Sequence, residues 1–159
     1  MPLTLTTTDI VIRILLSILL TGLIGIERKF YHKPAGLRTN ILVGLGSTVL
    51  MLISISAIIQ YDPNHVTDIT RIAAQVVTGI GFLGAGAIIQ GRGSIHGLTT
   101  AATIWVVAAI GMAVGLGLYL ISIFGTLGAL MVLVVLGRIE YRMEHRHDSV
   151  DTPTDQSGQ

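Results

Sequence analysis

The stretch RIAAQVVTGIGFLGAGAIIQ (residues 71–90) decides how this chain folds. It is long and apolar enough to cross a bilayer, yet it carries Arg71, Gln75 and four glycines, Gly79, Gly81, Gly84 and Gly86. On an ideal helix turning ~100° per residue, Gln75, Gly79, Gly86 and Gln90 fall within roughly 60° of one another, and Gly81 and Gly84 lie on the far side. Small residues on two opposite faces let neighbouring backbones approach from both directions. The pattern predicts the central helix of a membrane bundle, packed through its glycines, with a polar edge that needs partners.

Composition points the same way. Of 159 residues, 51% are hydrophobic and 12% charged, with a mean hydropathy of +0.75, whereas about a quarter of a soluble globule's residues carry charge. The 19 glycines suit close helix packing. The chain has no cysteine, which excludes disulfides, zinc–thiolate sites and thiol catalysis. Its first residues, MPLTLTTTD, carry no basic leader, so the first span is expected to serve as its own insertion signal.

Outward from the central stretch, five spans can be drawn: residues 10–26, 37–59, 72–90, 98–114 and 118–136. The expectation is an all-α membrane protein with one transmembrane domain over 1–137 and a charged tail, 138–159, disordered at its end. Arg28, Lys29, Lys33 and Arg38 surround the first connection, Arg92 lies in the third, and Arg138, Arg142 and Arg146 lie in the tail. Eight of the ten basic residues therefore gather on one side. By the positive-inside rule that side is the cytoplasm, with the N-terminus outside and the C-terminus inside. The second connection, with Asp62 and Asp68, faces out.

Several polar residues lie within or beside the spans. Arg13 and Arg71 sit at the outer ends, with Asp9 four residues before one and Asp68 three before the other, spacings that allow pairing along a helix face. Their plain role is to snorkel to headgroups. The first span has a polar face, Arg13, Ser17, Thr21, Gly25 and Arg28, and ends beside Glu27. That acid either neutralises Arg28 or Arg38, or joins a charge network that binds an ion or a partner. Pro34 and Gly36 break the chain before Arg38 and Asn40. Gly44, Gly46, Ser47, Ser54 and Ser56 are contact points of the second span. In the fourth, Thr99 and Thr103 share a face beside Thr100, and such threonines often bond back to the preceding turn. Trp105 falls mid-span and is expected in the core. Gly111 and Gly115 form a small-xxx-small pair.

Some motifs mislead. GIGFLG (residues 79–84) fits the dinucleotide fingerprint letter for letter, but no strand precedes it. No phosphate-binding P-loop occurs, and no His or carboxylate set has catalytic metal spacing. His145 and His147 sit in a tail without pre-formed geometry. An enzyme, a cofactor and a nucleic-acid partner are not expected, and no metal ligand can be assigned.

Three stretches together, GLIGIERKFYHKPAGLRTN (22–40), RIAAQVVTGIGFLGAGAII (71–89) and GLTTAATIWVVAAIGMAVG (97–115), resemble the membrane domain of the MgtC/SapB family. The resemblance implies a multi-pass protein of the bacterial cytoplasmic membrane with roughly five spans. Some members of that family are virulence factors tied to growth in low magnesium, described as acting on partner membrane proteins, including the proton-driven ATP synthase. It carries over, as functional candidates, Glu27 and Arg28, Arg38 and Asn40, Arg71, Gln75 and the glycines of the third span, and Thr99, Thr100 and Trp105. Two departures stand out: virulence-type members have Asn where this chain has Thr99, and they carry a soluble C-terminal ACT-like domain. A role residing in that domain is expected to be absent.

The leading expectation is a regulatory or adaptor protein, linked to magnesium homeostasis or stress adaptation. Its partners would be the lipid bilayer, other membrane proteins and a second copy, a dimer being favoured. The alternative is a small transporter or channel for magnesium or another cation, drawing on Glu27, Arg38, Asp68, Arg71 and Gln75. A third reading gives the arginine-rich inner face an anion or lipid headgroup.

Overall fold

A computed structural model describes residues 5–61, 68, 70–91 and 94–139. Helix α1 (Thr7–Phe30) starts at a capping box: the Thr6 hydroxyl accepts from the Asp9 N–H at 3.2 Å, and the Asp9 carboxylate accepts from the Thr6 N–H at 3.0 Å. It ends where His32 and Ala35 turn through positive φ on either side of Pro34. Helices α2 (Leu37–Tyr61) and α3 (Thr70–Gly86) follow. A short antiparallel hairpin, β1 (Ile89–Gly91) with β2 (Ser94–His96), then pairs Ile89 with His96 and Gln90 with Ile95. Gly97 turns the hairpin into α4 (Leu98–Gly115) at φ 91°, where a Cβ would collide with the Ala87 carbonyl. Only glycine fits both demands. Helix α5 (Tyr119–Met131) continues through a π-helical turn, Val132–Leu136.

Polarity is inverted relative to a soluble domain. Leu15, Leu19, Leu42, Ile53 and Phe124 lie exposed, while the hydroxyls of Ser17, Thr21, Thr48 and Ser122 are fully buried. Buried hydroxyls back-bond along their own helices, Thr21 to the Ser17 carbonyl and Thr126 to the Ser122 carbonyl, so they cost little in an apolar setting. Helices α1, α2, α4 and the run Tyr119–Ile139 are long and apolar enough to cross a membrane. The chain is an all-α membrane protein.

Its core lies between α1, α2 and α4, and α4 touches all four other helices. The approach is close because glycines permit it. A Cβ on Gly44 would strike Thr21, one on Gly111 would strike the Gly44 carbonyl, and one on Gly115 would stand 2.6 Å from Met51 Cβ. A Cβ on Gly25 would lie 2.8 Å from Leu37 Cα. Around this seam, Leu20 and Ile24 of α1 pack with Val107, Ile110 and Val114 of α4.

The third helix departs from expectation. It is not central: it lies at the edge, burying only Val76 and Ile80 against Ile104 and Ala108 of α4. Nothing lies within 4 Å of a Cβ built on Gly79, Gly81 or Gly86, and Gly84 alone of the four meets a neighbour, Ala101. Small residues bring helices together only where the facing helix is also small. Gly44 and Thr48 offer that match to Gly111 and Gly115, whereas among the described residues α3 finds it only where Gly84 meets Ala101. The helix is also shorter than the expected 72–90. Its 17 residues span about 25 Å, the lower limit for crossing hydrocarbon. Tighter i→i−3 bonds, Ala87 N–H to Gly84 O and Ile88 N–H to Ala85 O, close it before the hairpin. Trp105, expected inside, is 52% exposed on the outer side of α4. Asp62, Arg92, His145, His147 and the tail beyond Ile139 lie outside the described residues.

This packing sets opposite outcomes for two glycines. Gly111→Ala is expected to lower stability by about 1–3 kcal/mol through overpacking. Gly79→Ala should match or exceed the parent, because alanine favours helix by about 1 kcal/mol and meets nothing. Thermal unfolding in micelles, followed by circular dichroism, reads both, and equal melting of the two variants would contradict the seam.

Candidate functional site

The polar residues collect at the two ends of α1, and each end is tied to α4. In the last turn of α1, Arg28 is 3% exposed and donates from Nη2 to Thr100 Oγ1 at 2.9 Å. Fifteen positions earlier, Arg13 donates from Nη1 to the Gly115 carbonyl at 2.7 Å. One guanidinium thus grips the start of α4 and the other its end. The Met112, Ala113 and Val114 carbonyls of the last turn accept from the N–H groups of Leu116, Leu118 and Gly117, and Arg13 caps the Gly115 carbonyl that follows them, meeting the negative end of the helix dipole. It neither snorkels freely nor pairs with Asp9, whose carboxylate is taken by Thr6. Arg28 lies at the positive end of α4, but the carbonyl end of α1 offsets that cost.

Between these ends Thr48 joins three helices. Its hydroxyl lies 2.8 Å from Ser17 Oγ on α1, 2.8 Å from the Gly111 carbonyl on α4 and 3.0 Å from its own Gly44 carbonyl. With one hydrogen to give, it donates to one carbonyl at a time, and the Ser17 hydroxyl can donate in return. Thr48 escapes sequence reasoning because a single threonine in an apolar run carries no distinctive signal. The Gly44-xxx-Thr48 spacing was the available clue.

The Arg28 end gathers several expected residues. Asn40 is fully buried, donating from Nδ2 to the Ala35 and Gly36 carbonyls, the latter at 2.8 Å. It holds the loop that joins α1 to α2. Glu27 is 9% exposed and falls on the stripe of α1 that carries Leu20 and Ile24. Glu27 Oε2, Arg28 Nε and Asn40 Oδ1 have no hydrogen-bond partner among the described residues. This end therefore retains two acceptors and one donor in buried surroundings, an arrangement able to take up a proton or a small polar ligand.

The other candidates are dispersed. Arg38 and Thr99 are exposed, and Thr99 offers its carbonyl to the Thr103 hydroxyl at 2.7 Å. Arg71 and Asp68 lie exposed at the start of α3, at the opposite end of the bundle from Arg28. Gln75 is exposed on the wall of a cleft between α2 and α3. The polar set is thus split between two ends and does not form one chamber. Asp68 accepts from the Thr70 hydroxyl at 2.7 Å and from its N–H at 2.8 Å, and these bonds hold its carboxyl below the usual carboxylate range.

Two outcomes follow from these contacts. Thr100→Val strands a buried guanidinium and should cost about 1.5–3 kcal/mol, while exposed Thr99→Val should stay within about 0.5 kcal/mol; chemical denaturation in micelles compares them. Because the folded pKa of Asp68 is lowered, its stabilisation is full above the ordinary carboxylate pKa and fades as pH falls through the folded value. Amide exchange at Thr70 and Arg71 should accelerate over that acidic window, and Asp68→Asn should remove the change.

Sequence comparison completes the picture. The chain is 45% identical over 145 residues to a protein of Escherichia coli K12 named putative magnesium transporter YhiD, covering 89% of this chain and 66% of that one. Protein SrpB of Synechococcus elongatus is 38% identical over 80% of this chain and 75% of its own length. Protein MgtC of Brucella abortus is 49% identical over 63% of this chain and 40% of its own. The chain thus spans two thirds or less of YhiD and of the Brucella protein. No solved structure is detectably similar. The model of the MgtC family matches residues 14–142, and the chain belongs to that family.

Proposed function

We propose that this chain is a non-catalytic regulatory protein of a bacterial cytoplasmic membrane, acting in magnesium homeostasis by docking other membrane proteins. The observation that carries this reading is the outward face of α3. Ala74, Thr78, Gly81 and Ala85 follow one another at steps of four, three and four, and all are exposed. In hydrocarbon, such a stripe is the surface against which another helix packs most closely. The glycines of the α1–α2–α4 seam are consumed within the chain, and these positions are not. A second copy of the chain is one helix-bearing partner this face accepts, which would give a dimer. An orientation with the Arg28 end in the cytoplasm agrees with the charges: exposed Lys29, Lys33, Arg38 and Arg138 lie at that end, Asp9 and Asp68 at the other.

The transport reading has its own support in the printed name of the Escherichia coli relative and in the unpaired, buried Glu27 oxygen. Against it, no group of three His, Asp or Glu converges among the described residues, and magnesium is held by several oxygen ligands. The test purifies parent and Gly81→Leu proteins from native membranes and also reconstitutes the parent in vesicles holding a magnesium-sensitive dye. A reproducible partner recovered with the parent, reduced at least tenfold by Gly81→Leu, and flux no greater than in empty vesicles are expected. Flux in pure vesicles that Glu27→Gln abolishes, with no partner recovered, would overturn the docking reading in favour of transport.

A further inference from the structure

The cleft between α2 and α3 is separate from the outward face of α3 and has a different shape. Its volume is about 570 Å³, and Leu42, Gly46 and Leu50 of α2 face Gln75, Gly79 and Leu83 of α3 across it. That volume is in the range of a small-ligand site. Neither Gly46 nor Gly79 has an atom within 4 Å of a built Cβ, so the floor is open where the two glycines stand. The α2 wall runs from Thr39 to Leu50, about 16 Å of helix, or half of the ~30 Å hydrocarbon thickness. A partner helix crossing the whole bilayer would overrun it. A chain confined to one leaflet would match it.

The ends of the cleft differ in charge. Next to Thr39 stands exposed Arg38, on the same end of the bundle as exposed Lys29, Lys33 and Arg138. Among the described residues, the carboxylate at that end, Glu27, is buried, while half-buried Asp9 and exposed Asp68 belong to the opposite end. Cations at a membrane surface attract anionic headgroups, and a guanidinium binds phosphate through paired donors.

We propose that this cleft holds one acyl chain of an anionic phospholipid, with Arg38 meeting its phosphate. The proposal does not depend on protein docking at α3, and the two fail separately. The site would make the protein's edge sensitive to the lipid charge of one leaflet, because the bound chain fills the gap that otherwise lets α3 shift against α2.

Native mass spectrometry of delipidated protein, reloaded from micelles containing phosphatidylglycerol or phosphatidylcholine, tests it. The parent should retain one phosphatidylglycerol at least tenfold more strongly than phosphatidylcholine. Gly46→Leu, whose Cβ has no protein atom within 4 Å and whose side chain projects into the open floor, should lose retention of both lipids about tenfold while melting like the parent. Arg38→Gln should keep chain binding and lose the preference between headgroups. Equal retention by the parent and Gly46→Leu would overturn the site. So would a parent that holds no lipid and runs as a dimer that Gly46→Leu dissociates, since the cleft would then belong to a second copy.

Discussion

The backbone of Gly111 rests against the carbonyl of Gly44, with no room for a methyl group between them. The remaining helix contacts depend on this approach. Lipid tails are as apolar as leucine, so burial of aliphatic surface gives helices little reason to leave lipid for one another. Close van der Waals contact and interhelical hydrogen bonds must supply the attraction. At the Gly44–Gly111 crossing both are present, because backbone contact brings the Gly111 carbonyl within 2.8 Å of the Thr48 hydroxyl. Interhelical bonds of this kind contribute about 0.6 kcal/mol on average. The geometry they specify matters more than their strength, since a one-turn slip would set Gly111 against a full side chain.

With that crossing in place, α1 is held by its ends. Arg13 and Arg28 occur in one apolar helix, and each would be costly if it faced lipid. Both find oxygen on α4, at Gly115 and Thr100. These bonds fix the axial register of α1 against α4 as well as its orientation. The same register buries Glu27 and Asn40 at one end and leaves their free oxygens in a protected layer close to the exposed cations. The chemically interesting end of the molecule is therefore a by-product of how the charged residues of α1 avoid hydrocarbon.

Helix α3 obeys different rules. Its attachment centres on two buried aliphatic side chains, Val76 and Ile80, on the flank of α4, with Ile72 beside them and Gly84 meeting Ala101. Its small positions other than Gly84 lie largely outside, along with a cleft beside α2. A loosely held edge helix with small residues outward is suited to exchange neighbours, whether protein or lipid, in a way the α1–α2–α4 seam is not.

The membrane class, the helical runs and the candidate polar residues were all legible from one dimension, because hydropathy and length are properties of consecutive residues. Gly111 with Gly115, and the face Arg13, Ser17, Thr21, Gly25 and Arg28, could be read the same way, since 3.6-residue periodicity assigns each residue a side of its own helix. Periodicity could not say which neighbour stands on that side. It gave four glycines to α3 and made α3 appear the centre, whereas α4, with fewer signals, occupies that place. Thr48 and the Arg28–Thr100 pair, 72 positions apart, belong to the same category. The sequence by itself determined that this chain lives in lipid as a set of helices with small and polar stripes. Only the tertiary structure decided which stripes meet, because helix packing needs two complementary surfaces and a single strip of sequence describes one.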